Sequence, residues 1–197
     1  MNIGLTGGIA SGKSTVSRML RERGALIVDA DQISREIVMP GSPVLQKIAD
    51  EFGQEVLLES GELNRKKLGS IIFSDEEKRL KLNAIMHPPI RAEMLRRIGQ
   101  YEAEYPDKLI VADIPLLYES NLQHMFSEVM VVYVPFPVQI ARLMERDGLT
   151  ESQALERIRS QMPLEDKRRL ADVVIDNSGS LEETAKQLDQ YLERKGL

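Results

Sequence analysis

The sequence predicts an α/β fold, with a five-stranded parallel sheet held between layers of helices. Three observations predict it. Apolar runs of strand length recur at Ile3–Leu5, Leu26–Val28, Leu109–Ala112, Val129–Val134 and Val173–Ile175. Helical patterns separate these runs, the alternation that marks parallel strands joined by crossover helices. Two separations are longer than one crossover requires: 80 residues lie between Val28 and Leu109, and 38 between Val134 and Val173. Both read as insertions into a small three-layer core.

The elements follow in chain order. The first run leads into the segment GGIASGKS at 7–14 and then an amphipathic helix with Val16, Met19 and Leu20 inward, ending at Gly24. The second run ends on two carboxylates one residue apart, Asp29 and Asp31. They read either as a strand end followed by a helix cap or as a functional pair on one face. The first insertion reads as helical. It contains a break at Pro40–Pro43 (PGSP) and a capping box at Ser74–Glu77 ahead of Leu80, Leu82, Ile85 and Met86. Pro88 and Pro89, after His87, are expected to end one helix and start the next. The third run closes on Asp113, a strand-end acid like those that help hold Mg²⁺ in nucleotide-binding proteins, followed by PLLYE at 115–119, which reads as a pocket wall or plain packing. In the second insertion, a capping box at Thr150–Gln153 opens a helix with Ala154, Leu155 and Ile158 inward. A further box at Ser180–Glu183 opens the last helix, whose stripe is Leu181, Ala185, Leu188 and Leu192.

Composition bounds the function. The chain has 197 residues, 42% hydrophobic and 29% charged, with a net charge of −5. That balance argues against a broad nucleic-acid surface. There is no cysteine, hence no disulfide framework, thiolate metal site or thiol nucleophile. The N-terminus MNIGLTGG lacks the charged and apolar regions of a signal peptide, and no apolar run approaches a bilayer span. A soluble cytoplasmic protein is expected, a monomer or weak homo-oligomer, without nucleic-acid or membrane partners.

The strongest motif is GGIASGKS at 7–14, which fits G-x-x-x-x-G-K-[ST]. Glycines let the backbone turn so that successive N–H groups point at phosphate oxygens, and the following helix adds its positive end. Gly8, Ala10, Ser11, Gly12, Lys13, Ser14 and Thr15 are the expected nucleotide-binding residues, with Lys13 reaching the terminal phosphates and the Ser14 hydroxyl offered to Mg²⁺. The motif stands between a strand and a helix, the context it requires. Three uses of a triphosphate compete. A GTPase switch would carry N-K-x-D, which is absent, and a motor ATPase would end a strand on Asp-Glu, whereas here Asp113 is followed by Ile-Pro. A small-molecule kinase needs an acceptor pocket and an arginine-bearing lid, and the two insertions are candidates for both. Arg142 and Arg146 are four apart and share a helix face, as a clamp on a transferring phosphate would. An ATP-binding sensor without turnover, and a kinase for another small acceptor, remain open at this point.

The whole chain resembles the dephospho-CoA kinase family. The pieces in order are LTGGIASGKS at the start, VDAD with Arg35 just after, PGSP at 40–43, His87-Pro88, IPLLYE at 114–119, RLMER at 142–146, Gln161, and ADVVIDNSG at 171–179. The resemblance implies a P-loop fold like that of nucleoside monophosphate kinases: a core of residues 1–31, 105–136 and 170–197, a helical acceptor domain at 32–104 and a lid at 137–169. It implies ATP and Mg²⁺ as cofactors and transfer of the γ-phosphate to the ribose 3′-hydroxyl of dephospho-CoA. It assigns Asp31 as general base, with Lys13 and Arg142 spreading the charge of the transferred group. Asn177 would meet adenine, and Thr6, Asp31, His87, Arg91 and Leu116 would contact the acceptor. Asp29 is left outside the site, as a structural group or a water-mediated Mg²⁺ partner.

Overall fold

A computed structural model describes all residues from 1 to 197. Its strands are β1 (Asn2–Gly7), β2 (Leu26–Asp29), β3 (Ile110–Asp113), β4 (Val129–Tyr133) and β5 (Val173–Asp176). They form one sheet in the order β2-β3-β1-β4-β5. β1 is central, parallel to β3 on one side and β4 on the other, and β5 runs parallel to β4. Buried on both faces, the central strands must be apolar throughout, which is why their runs were continuous. Leu5 pairs with Asp113, and Gly7 with Val132. This register brings Asp113 and the loop after Gly7 to the carboxyl end of the sheet, where open α/β sheets bind ligands.

The helices are α1 (Lys13–Glu22), α2 (Ala30–Glu36), α3 (Pro43–Phe52), α4 (Arg65–Ile72), α5 (Glu76–Glu104), α6 (Phe136–Asp147), α7 (Glu151–Arg159), α8 (Leu164–Leu170) and α9 (Leu181–Lys195). The chain divides into two compact units, residues 1–28 with 98–197, and residues 29–97. In the first, Ile3, Leu5, Val111 and Met130 of the sheet pack with Val16 and Leu20 of α1 and Leu188 and Tyr191 of α9. The capping boxes at Thr150 and Ser180 both form. The expected stripe of α9 packs against the sheet through Ala185, Leu188 and Leu192, joined by buried Thr184 and Tyr191, while Leu181 is 55% exposed. Leu181 lies in the first turn and takes no part in the packing against the sheet. A second cluster joins Leu143, Ala154 and Ile158 of α6 and α7 to Ile9 and Ala10 of the phosphate motif.

The second unit closes α2, α3, α4 and the start of α5 around Leu45, Ile48, Val56 and Leu68, with Leu82, Ile85 and Met86 packed against them. The PGSP break is real, with Ser42 capping α3 and Pro43 in its first turn. Two expectations fail here. The cap of α5 is Asp75, not Ser74: Asp75 Oδ1 accepts from the Lys78 N–H at 3.0 Å. And α5 does not stop at Pro88 and Pro89 but runs through both. Proline removes a donor and disfavours a helical predecessor. The helix persists because apolar packing holds it on each side, through Ile85 and Met86 before the prolines and buried Met94 after. Ala84, the carbonyl that Pro88 cannot serve, is exposed to water.

One ion cluster orders the second half of α5. Glu93 accepts from Arg96 and Arg97, and Arg97 also pairs with Glu36 of α2. These donors hold the Glu93 carboxyl at about 2, below its ordinary 4.5. A depressed carboxylate contributes stability above its unfolded value and loses it as pH falls. Urea titrations of wild type and Glu93→Gln should therefore differ most above pH 4.5 and converge near pH 2. A pH-independent difference would show that the cluster acts through packing alone. No helix is long and apolar enough to cross a membrane.

Candidate active site

β1 delivers its last residue, Gly7, into a tight reversal that ends where α1 begins. Gly12 is the N-cap of α1 with φ 88° and offers no side-chain cap. The first N–H groups of the helix are thus available to an anion, reinforced by the helix dipole. Only glycine fits at 12, since a Cβ there would lie 2.0 Å from Asn177 Nδ2. Ala10 also takes a left-handed conformation, φ 60°, so the loop holds a residue with a Cβ where glycine is usual. Ser14 is exposed at the helix start. Ser11 is buried, with its hydroxyl unpartnered. Lys13 Nζ is paired with Asp113 Oδ1, the strand-end acid. The lysine is thereby held at the carboxyl end of the sheet by a buried aspartate.

The loop is braced from behind by side chains far along the sequence. The Ile9 N–H donates to Gln161 Oε1 at 2.9 Å, and Gln139 Nε2 donates to the Ile9 carbonyl at 2.9 Å. Asn177 Nδ2 donates to the Ser11 carbonyl at 2.9 Å, and Asn177 Oδ1 accepts from Thr184 at 2.8 Å. Asn177 is thus a buried support of the loop, with both ends of its amide engaged. Thr6, expected at the acceptor, is wholly buried and donates its hydroxyl to the Pro115 carbonyl at 3.0 Å. It supports the turn after β3 and offers no exposed surface. Within IPLLYE, Leu117 and Tyr118 are packed inward and Leu116 is 43% exposed. Burial pushes the Tyr118 hydroxyl up to about 12. Glu119 takes part in a bracing contact: its carboxylate accepts from the Met162 N–H at 3.0 Å and pairs with Lys167. Gln139, Glu119 and Lys167 were missed as site residues. Lys167 sits in LEDKRRL, which reads as a solvated charge run, and nothing local shows that one lysine of it turns inward.

The arginines of α6 differ in their partners. Arg146 donates to Asp147, and Arg157 of α7 joins the same carboxylate. The two guanidiniums hold Asp147 below the usual carboxylate range. Arg142, one turn earlier and half-buried, makes no ion pair. Of the two arginines of the expected clamp, Arg146 is thus engaged with Asp147 and Arg142 is not.

In the second unit, Asp29 and Asp31 take different positions. Asp29 is the N-cap of α2: its Oδ1 accepts from the N–H groups of Asp31 and Gln32 at 2.8 and 3.1 Å. Asp31 occupies the first turn, with an exposed side chain. The strand end thus places one acid at the cap and the other in the first turn of α2. Asp29→Asn, which keeps an acceptor at the cap, should retain turnover within about threefold, while Asp29→Ala should lose roughly 1 kcal/mol of stability, read by urea midpoints. A large kcat loss in the asparagine variant would place Asp29 in the chemistry. His87 and Arg91 are both exposed, one turn apart on α5.

The comparisons agree with this geometry. The family model described as "Dephospho-CoA kinase" matches residues 1–183. A dephospho-CoA kinase of Bacillus licheniformis is 52% identical over 191 residues, covering 97% of this chain and 94% of that protein. One of Carboxydothermus hydrogenoformans is 52% identical over 192 residues, covering 98% and 93%. Among solved structures, the dephospho-CoA kinase from Campylobacter jejuni superposes with a TM-score of 0.77 at 30% identity, covering 98% of this chain and 96% of that one. With a phosphate-binding loop at the carboxyl end of a 2-3-1-4-5 sheet and similarity along nearly its whole length, the chain belongs to the dephospho-CoA kinase family.

Proposed function

We propose that this chain transfers the γ-phosphoryl group of ATP to the ribose 3′-hydroxyl of dephospho-CoA, giving CoA and ADP, with the residues below in the stated roles. The observation that carries the reading is the uncapped N-terminus of α1 behind the Gly12 turn, with Lys13 at its first position. Phosphoryl transfer of this kind passes through a loose transition state, so catalysis is mainly positioning and charge stabilisation. The N–H groups of the loop orient the β- and γ-phosphates. Lys13 moves from Asp113 to the terminal phosphates. Arg142, which has no carboxylate partner, neutralises charge on the transferred group. Asp31 orients the acceptor hydroxyl and takes its proton late, a task that an ordinary carboxylate can perform in such a transition state. His87, Arg91 and Leu116 are exposed and available to the acceptor. Asn177 and Thr6 act through the loop and the turn that they support.

No group of three or more His, Asp or Glu side chains could hold a metal ion unaided. That fits Mg²⁺, which usually keeps several waters and takes one or two protein oxygens together with substrate phosphates. The Ser14 hydroxyl is exposed for this purpose, and the Asp113 carboxylate is a second oxygen donor in the same unit. When bound, the ion neutralises charge on the β- and γ-oxygens.

The test is ADP release from the purified protein with ATP and Mg²⁺, with and without dephospho-CoA, beside AMP, dCMP, adenosine and shikimate. Stimulation by dephospho-CoA alone is expected. ATP binding with no stimulation by any acceptor would make the protein a nucleotide sensor and remove Asp31 and Arg142 from catalysis.

A further inference from the structure

Lys167 of α8 is wholly buried, and a buried ammonium is costly unless every hydrogen is satisfied. Here all three are. Nζ donates to the Gly7 carbonyl at 3.0 Å and to the Pro115 carbonyl at 3.2 Å, and it pairs with Glu119 Oε1 at 2.9 Å. Gly7 begins the phosphate loop. For its successive N–H groups to converge on a phosphate, the carbonyls must turn away from it, and the carbonyl of Gly7 turns onto this ammonium. The Pro115 carbonyl, which also accepts from Thr6, belongs to the turn after Asp113, the partner of Lys13. One side chain therefore holds both the loop that binds phosphate and the turn beside the acid that holds Lys13. Glu119 extends the tie by accepting from the Met162 N–H.

We propose that Lys167 is a positioning residue for phosphoryl transfer. Its ammonium fixes the carbonyls of Gly7 and Pro115, and through Glu119 it fastens the segment leading into α8 to the phosphate loop. The proposal rests on the reading that the loop holds the triphosphate of ATP. Removing the ammonium lets the Gly7 peptide rotate, and a misplacement on the order of 1 Å at a reacting phosphate lowers the rate by about 100-fold. The network holds the phosphate loop directly and reaches the acceptor side only through the turn that carries Leu116, so ATP binding is the more affected.

Three variants separate positioning from folding: Lys167→Met, Glu119→Gln, and the two combined. Wild type is assayed first; if it shows no acceptor-dependent ADP release, the underlying reading fails. With wild type active, the double variant, which leaves no orphan carboxylate, should regain most of the thermal stability lost in Lys167→Met. Its kcat should stay at least about tenfold low and its KM for ATP should rise more than its KM for dephospho-CoA. Glu119→Gln alone keeps the ammonium on both carbonyls and loosens only the tie to Met162, so its kcat should fall less than that of the double variant. ADP affinity, measured by calorimetry without turnover, should fall in the double variant. A double variant whose kcat and ADP affinity match wild type would overturn the proposal and leave Lys167 a packing residue, as would equal rises in both KM values.

Discussion

Replacing Asp31 by asparagine is expected to leave ATP affinity within about twofold and to lower kcat by roughly 10²–10⁴. The backbone of the position is secure. The N–H of residue 31 donates to Asp29, and the cap of α2 is formed by Asp29 and not by Asp31. Asparagine is nearly isosteric and helix-compatible in the first turn, so the substitution removes the carboxylate charge while the cap made by Asp29 stays in place. Binding of the nucleotide belongs to the loop of the other unit, and ADP affinity serves as the control. The KM for dephospho-CoA should change less than kcat, because an oriented hydroxyl matters most where its proton departs. Equal turnover in the variant would assign the role of base to solvent. A parallel loss of ADP affinity would show that Asp31 supports the nucleotide site.

Lys13→Met should lower kcat/KM for ATP by about 10³, the scale seen on removing a preorganised charge from a transition state. The structure adds a second effect. Lys13 neutralises Asp113, whose side chain is 9% exposed. A lone methionine would leave that carboxylate without its charged donor, at a cost of roughly 1.5–3 kcal/mol in the nucleotide-free protein. Lys13→Met with Asp113→Asn should recover that stability and none of the activity. Denaturant midpoints and turnover, measured on the same preparations, distinguish the two consequences. If the double variant regains turnover as well, Asp113 inhibits the site and Lys13 contributes little to the chemistry.

Several features were legible because they depend on residues adjacent in the chain. The strand, the glycine turn and the start of α1 lie within residues 2–14, and the backbone geometry that binds phosphate follows from where the glycines fall. The capping boxes at Thr150 and Ser180 are equally local, each a contact across three residues. The continuous apolar strands announced a parallel sheet because both of its faces are covered. Local signals misled where packing outweighed them. Pro88 and Pro89 ought to break a helix, yet α5 passes through them between apolar contacts on either side. The cap of α5 moved from Ser74 to Asp75, a choice between neighbouring acceptors that only helix register decides.

Asp29 and Asp31 show where the division lies. Their spacing fits either a strand end with a helix cap or a pair on one face, and only where β2 ends and α2 begins decides that Asp29 caps and Asp31 stands in the first turn. The kinase loop, the sheet and the order of the family's segments were written in the chain, because each is set by backbone geometry over a few residues. The roles of Asn177, Thr6, Gln139, Glu119 and Lys167 were decided by the fold alone. Each has a partner 43 to 166 residues away in the chain, and a polar side chain reads as solvated until the tertiary structure takes it out of water and obliges it to find a partner.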